Sequence, residues 1–592
     1  MEVDLHEELY KPYFTFVQNY LNKIGKTFVP KGFLKTLVFE PASLGDFDLD
    51  SKSIKLAQFN QQKVQAFSDD PDDSFTRIFD DLDSRFETSN KIGKGIKSKS
   101  LVSWDVLEEL NKNSYYWDGL ETYWTEASPL GPDVIRAIDT DTTKILGWCG
   151  DPKKFESWNR HGLVMGHVQS GKTTNYSALI AKALDTGYRH IIILAGITNS
   201  LRRQTQERID EVILGFSSAN DDTTQKTKIG VSHYRQPGRS PMSMTTESSD
   251  FNAKIQQSIV THEDPDRELI WVIKKNVKVL EALNQWLTEK LGAGEKLKNP
   301  LLVIDDEADN ASIDTSIAGN TPSAINHGIR TLLRTSERYS YVGYTATPFA
   351  NIFIDSEKEG DDLISDELFP SDFIYSLDAP SNYVGPHKIF NTDHDLYEKC
   401  VFNLNEIEEH SVYAGHLKHV DSIPPRHKSG LQIEQLPQSL IDSIYLFVMF
   451  VAWRMKSKRG DKHSSMLINV SLFNAVQEQI YRHVVEILKS TKHAVVAKAL
   501  HPQWKNNIIL ERMSKAFALY NYDRDSNCTF EELLPYLETA LARIETVVVN
   551  MKGEELRYGE VKNDKGKFVL AIGGLALSRG LTLEGLAVSY II

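Results

Sequence analysis

Short apolar runs punctuate the chain after Gly162, at residues 163–165, 191–195, 301–304 and 341–343, and each one ends in polar or glycine residues. Runs this short, apolar throughout rather than at alternate positions, predict strands covered on both faces. Such strands form a parallel sheet flanked by helices, with ligands held at the carboxyl ends. This predicts an α/β lobe over residues 162–355. A helix over 440–455 and strands over 466–470 and 568–572 predict a second α/β stretch, 436–592, beyond a connector at 356–435 that contains proline and histidine. Upstream, Phe14, Val17, Leu21 and Ile24 recur at helical spacing, and a further helix is expected over 75–86, so residues 1–100 read as mainly helical. Residues 101–161 form an aromatic-rich lead-in with Trp104, Tyr115, Tyr116, Trp117, Tyr123, Trp124, Trp148 and Trp158. Packing between elements is its simpler account; stacking on a base is the alternative.

Composition narrows the class. At 592 residues, with 41% hydrophobic and 25% charged positions, the chain is neither collagen-like nor disordered and holds several cores. Its longest apolar run, 444–453, is half the roughly twenty residues of a bilayer span. Glu2, Asp4, Glu7 and Glu8 stand where a secretory signal places basic residues. Cys149, Cys400 and Cys528 are too widely spaced for a zinc half-site or a disulfide framework. A cytoplasmic protein without a membrane partner is the expectation. The net charge of −14 does not exclude nucleic acid, which needs only a local basic groove. The acidic cluster from Asp69 to Asp83 reads as solvated surface. Lys91, Lys94, Lys97 and Lys99 read as a linker, with a phosphate-contacting loop as the alternative.

The chemistry concentrates in two segments. Gly166-His-Val-Gln169-Ser170-Gly171-Lys172-Thr173-Thr174 fits GxxxxGK[ST], between an apolar strand and a helix. In that pattern the glycines let successive N–H groups face phosphates, the helix N-terminus favours negative charge, Lys172 reaches the β- and γ-phosphates, and Thr173 ligates Mg²⁺. The second segment is Leu301-Leu-Val-Ile-Asp305-Asp306-Glu307-Ala308-Asp309, a buried strand with carboxylates at its exit. Asp306 is expected to hold the metal, with Asp305 as an alternative one register step away, and Glu307 to orient or deprotonate the attacking water. ATP and Mg²⁺ are the expected cofactors.

With these segments in hand, the chain resembles the superfamily 2 helicase and translocase ATPases. Asp306-Glu307-Ala308-Asp309 is similar to their DEAD-type box, and Tyr344-Thr345-Ala346-Thr347-Pro348 to the motif that links hydrolysis to nucleic-acid movement. The segment from Leu194 to Gln204 is similar to their backbone-touching motif, and Leu577-Ser578-Arg579-Gly580-Leu581-Thr582 to their second-lobe motif. More narrowly, these segments together resemble the Z1 domain family over residues 104–592, bacterial proteins described as endonucleases and tied to restriction-modification and phage defence. The resemblance implies an α/β fold of two RecA-like P-loop lobes with a mainly helical N-terminal region. It implies an ATPase acting on DNA, with Asn199, Arg202, Arg203, Gln204, Thr345, Thr347, Ser578, Arg579 and Gly580 as contact or coupling residues. A nuclease, a methyltransferase or other defence-system subunits are the further partners it implies. The sequence departs from the helicase pattern in two places. Thr582 replaces an aspartate, and no arginine-finger motif precedes Ile592, so the second lobe is expected to be truncated, with the finger supplied by later residues or a partner.

Other signals have plainer readings. Glu560-Val-Lys562 has the E-x-K form of restriction nucleases but reads as a hairpin, and the segment from Asp523 opens like a calcium loop but reads as a helix start capped by Thr529 and Glu532. Arg202 and Arg203 face two equal accounts, DNA phosphates or a helix surface pairing with Glu207. Two functional alternatives accompany the ATPase reading: a nucleotide-gated scaffold that recruits a nuclease without translocating, and an intrinsic endonuclease.

Overall fold

A computed structural model describes the chain apart from residues 1–4, 27–28, 31, 48, 69, 87–90, 169, 220–226, 253–266, 292–294, 314–322, 353–367, 458, 461, 521–527, 550–565 and 575–582. It divides into two units, residues 1–385 and 386–592, and the fold is mixed α/β.

The first unit is built on an eight-stranded sheet. Its strands are β1 (Lys94–Lys97), β2 (Trp158–Met165), β3 (His190–Ala195), β4 (Met242–Ser243), β5 (Leu269–Ile273), β6 (Leu301–Asp306), β7 (Arg338–Thr345) and β8 (Phe373–Ser376), in the spatial order β1-β8-β2-β7-β6-β3-β5-β4. Every neighbouring pair is parallel except β1 with β8. The apolar runs are explained by what covers each face. Ile191, Ile193, Leu302, Ile304, Ile270 and Val272 point into one core with the helices flanking the phosphate loop, whereas Ile192, Leu194, Leu301, Val303, Trp271 and Ile273 point into another. Strands covered on both faces read as near-continuous apolar runs, and a polar side chain within them needs a buried partner.

Helices α5 (Val106–Leu110), α6 (Tyr115–Ala127) and α7 (Pro132–Trp148) lie against α8 (Lys172–Thr186). The aromatic residues of this stretch pack: Tyr116, Trp117 and Trp124 are buried, with Trp117 and Trp124 edge to face at 6.1 Å. Lys182 on α8 is fully buried, with its ammonium 4.3 Å from the Trp117 ring and bonded to Asp139 Oδ1 at 2.6 Å and Thr143 Oγ1 at 2.8 Å. The aromatic segment is thus part of the lobe's core. Two further residue groups depart from expectation. Lys94 to Lys97, read as linker, forms edge strand β1, and β8 extends the sheet past residue 355 because its apolar Phe373 and Tyr375 pair beside β2. At the N-terminal end α1 (Leu5–Ile24), α2 (Phe33–Phe39), α3 (Ser51–Phe67) and α4 (Pro71–Phe86) bury a core of their own, in which Tyr20 and Phe33 stack at 4.2 Å.

The second unit carries a four-stranded parallel sheet, β9 (Ser464–Asn469), β10 (Ile544–Val549), β11 (Phe568–Gly573) and β12 (Leu586–Ile591), in the order β10-β11-β9-β12. Its apolar helix Gln438–Lys456 is buried in the unit's own core, and among the described residues no helix is long and apolar enough to cross a membrane. The capping box at Thr529 and Glu532 forms with both reciprocal bonds.

Candidate nucleotide site

Parallel strands in register bring their carboxyl ends to one edge of the sheet. Met165 pairs with Thr345, Tyr344 with Asp306, and Asp306 with Ala195, so the exits of β2, β7, β6 and β3 lie side by side. The phosphate loop leaves β2, the acidic segment leaves β6, and β7 runs between them.

The loop returns to the sheet through Gly166, whose N–H donates to the Thr345 carbonyl at 3.0 Å, and enters α8 through Gly171 at φ +95°, a conformation that favours glycine. Ser170 Oγ donates to the His167 carbonyl at 2.9 Å. Lys172 opens the helix, half-buried, with its Nζ donating to the His167 carbonyl at 2.9 Å. Burial lowers its pKa, and Asp306, Glu307 and Asp309 oppose that shift. Thr173 and Thr174 follow in the first turn of α8. Gln169 lies outside the described residues, as do Ser578, Arg579 and Gly580, Glu560 and Lys562, and Asp523.

The consecutive carboxylates have different surroundings. Asp305 is fully buried: Oδ1 takes the Lys275 ammonium at 2.9 Å and Oδ2 the Tyr341 hydroxyl at 2.5 Å. That leaves Asp306 as the one turned to the loop. Its Oδ2 accepts from the Tyr176 hydroxyl at 3.1 Å, and Tyr176 stands one turn along α8 from Thr173. Desolvation, followed by repulsion from Glu307, pushes the Asp306 pKa up to about 6. Glu307 has φ +55°, a left-handed backbone that is costly away from glycine, and its N–H donates to Asp306 Oδ1 at 3.0 Å. Asp309 accepts the Thr345 hydroxyl on one oxygen at 2.8 Å and the Thr347 hydroxyl on the other at 2.7 Å. The acidic segment is thereby tied to the end of β7.

The helix after β3, α9 (Asn199–Ile209), is capped by Thr198. Asn199 is exposed and accepts from Lys274 Nζ at 2.8 Å. Gln204 is half-buried on the same helix. Arg202 turns inward, only 3% exposed, and donates to the carbonyls of Thr246 at 2.8 Å and Glu247 at 2.6 Å. Arg203 lies 3.6 Å from Glu207. Arg202 is thus packed within the protein, and Arg203 lies beside an acidic residue of its own helix.

Several residues here carry no motif signal: Lys275, Tyr176, Tyr341 and Asn175, which accepts from the Tyr344 hydroxyl at 2.9 Å. Lys275 alone left a trace, as the second of two lysines that follow the apolar run of β5.

The Z1 domain model matches residues 439–592, a segment that contains none of the loop and acidic residues described above. Among solved structures, the helicase domain of Pyrococcus furiosus Hef is similar at 11% identity, over 73% of this chain and 92% of that one, with a TM-score of 0.26. The SWI2/SNF2 ATPase core of Sulfolobus solfataricus, solved in complex with dsDNA, is similar at 12% identity, over 77% of this chain and 86% of that one, with a TM-score of 0.21. No curated protein sequence matches the chain.

Proposed function

We propose, for a chain whose residues 439–592 carry a Z1 domain, that it is a helicase-like ATPase acting on DNA. The observation that carries the reading is the hydrogen bond from Tyr176, one turn after Thr173 on α8, to Asp306, which ties the helix opened by the phosphate loop to the exit of the acidic strand. Two oxygen donors from different elements suit Mg²⁺, which takes few protein ligands and keeps positions for phosphate oxygens and water. Bound there, Mg²⁺ would withdraw charge from the phosphates. The loop amides and the N-terminus of α8 receive the phosphate chain, Lys172 supplies the cation at the transferred group, and Glu307 orients and deprotonates the attacking water. Asn199, Thr345 and Thr347 then lie near neighbouring strand exits, with Gln204 further along α9, and a bound nucleic-acid strand would be felt by Asp309 through the two threonines.

The test is ATP turnover with and without DNA. Lys172→Ala should abolish hydrolysis, and Glu307→Gln should bind ATP and retain it. Hydrolysis by Lys172→Ala at the parent rate would sink the assignment. One observation favours a second reading: Arg202 and Arg203 are engaged within the protein, which suits a nucleotide-gated scaffold that does not move along DNA. A turnover rate unchanged by single-stranded or duplex DNA at every salt concentration would select the scaffold. A place in restriction or anti-phage defence, beside nuclease or methyltransferase subunits, belongs to the same proposal. Its measure is whether the Lys172→Ala allele loses protection of a host against phage.

A further inference from the structure

The ion pair of Lys275 and Asp305 is costly for a core. Both side chains are wholly removed from solvent, and a buried pair of this kind is commonly no more stabilising than apolar residues of the same volume. Its value must lie in something that apolar residues would not provide. The lysine's second and third contacts supply that. Beyond Asp305 Oδ1, Lys275 Nζ donates to the Glu307 main-chain carbonyl at 2.7 Å and approaches Ser312 Oγ at 3.3 Å. An ammonium has three donors, and all are spent on the acidic turn.

The turn needs such a hold. Glu307 sits at φ +55° and Ala311 at φ +65°, two left-handed non-glycine residues four positions apart, and such backbone persists only where its surroundings over-determine it. Lys275 grips the carbonyl of the first, while Asp306 Oδ1 takes its N–H. The lysine is held in turn. Asp305 anchors its charge, Tyr341 fixes the far oxygen of Asp305, and the Lys275 N–H donates to the Gly196 carbonyl at 2.7 Å.

We infer that Lys275 is a positioning residue for hydrolysis, which locks the Glu307 backbone in the conformation that aims its carboxylate. The inference rests on the ATPase reading above. It also extends it, because the preceding residue, Lys274, bonds Asn199, so one dipeptide spans the loop after β3 and the water-orienting glutamate. Lys275 touches neither nucleotide nor water; it acts through Glu307.

The full chain tests this through the separation of turnover from nucleotide affinity. In an Asp305→Asn background, which leaves no buried charge unpaired, Lys275→Met should lower kcat about tenfold or more with KM and fluorescent-ATP affinity within about threefold of the parent. Lys275→Gln in the same background, still able to donate to the Glu307 carbonyl, should recover part of that loss. Parental kcat in the Lys275→Met, Asp305→Asn protein would mean that the lysine only neutralises Asp305 and would overturn the inference. Equal losses of kcat and affinity, or equal kcat for the Met and Gln proteins, would overturn it as well. Lys172→Ala, run alongside, separates the two levels: turnover at the parent rate there removes the ATPase reading itself.

Discussion

Asp305, Asp306 and Glu307 are adjacent in sequence and chemically unlike in place. The first is spent on a lysine and a tyrosine, the second is desolvated beside the phosphate loop, and the third stands on a left-handed backbone. A pH dependence follows from the second. On the proposed reading Asp306 is ionised when it holds a metal, and its pKa is raised to about 6, so kcat/KM for ATP should fall as the pH drops through about 6. An ordinary aspartate would carry the decline to about pH 4. The sign for stability is opposite: a carboxylate whose folded pKa exceeds its unfolded value penalises the fold as pH rises through that window. Asp306→Asn should therefore abolish turnover while raising the melting temperature at pH 7.5 by roughly 2 °C. A lower melting temperature would show that the carboxylate supports the fold. The two readings left open for Asp305 and Asp306 show where sequence runs out. The carboxylates share one strand exit, and only the positions of Lys275 and Tyr176, brought from distant segments, tell them apart. The same holds for Arg202, whose burial depends on two carbonyls more than forty residues away.

At the scale of elements, the legible strands were those with two covered faces. β3, β6 and β7 announce themselves as apolar runs, and the motifs at their exits locate the site edge. β1 is exposed at all four positions and β8 is four residues long, so neither has an inherent signature; each exists through its partner. Close packing between these strands sets a limit on substitution. A Cβ on Gly162 would lie 2.0 Å from the Phe373 ring, so Gly162→Ala should force β2 and β8 apart at a cost of about 2–3 kcal/mol, read as a drop in the denaturation midpoint. An unchanged midpoint would mean the ring has somewhere to go. Gly343 plays the same part between β7 and the acidic turn, where a Cβ would lie 2.9 Å from that of Ala308.

For the whole molecule, the informative fact is that each unit has cores of its own among the described residues. The buried residues of the first unit's clusters lie within 9–377, and those of the second within 423–590. Residues 1–385 produced alone should therefore melt cooperatively and bind ATP, as measured by calorimetry and fluorescent-nucleotide titration; an unfolded product would show that the second unit is required for the first.

The order of strands in the larger sheet also has a consequence for synthesis. β2, which leads into the phosphate loop, has both its partners far downstream: β7 begins about 180 residues later and β8 later still. At roughly 5–20 residues per second, a ribosome leaves β2 without a neighbour for about 10–40 s. During that interval Val164 on β2 has for cover the helices that share its core, among them α7 and α8, which the buried Lys182 joins.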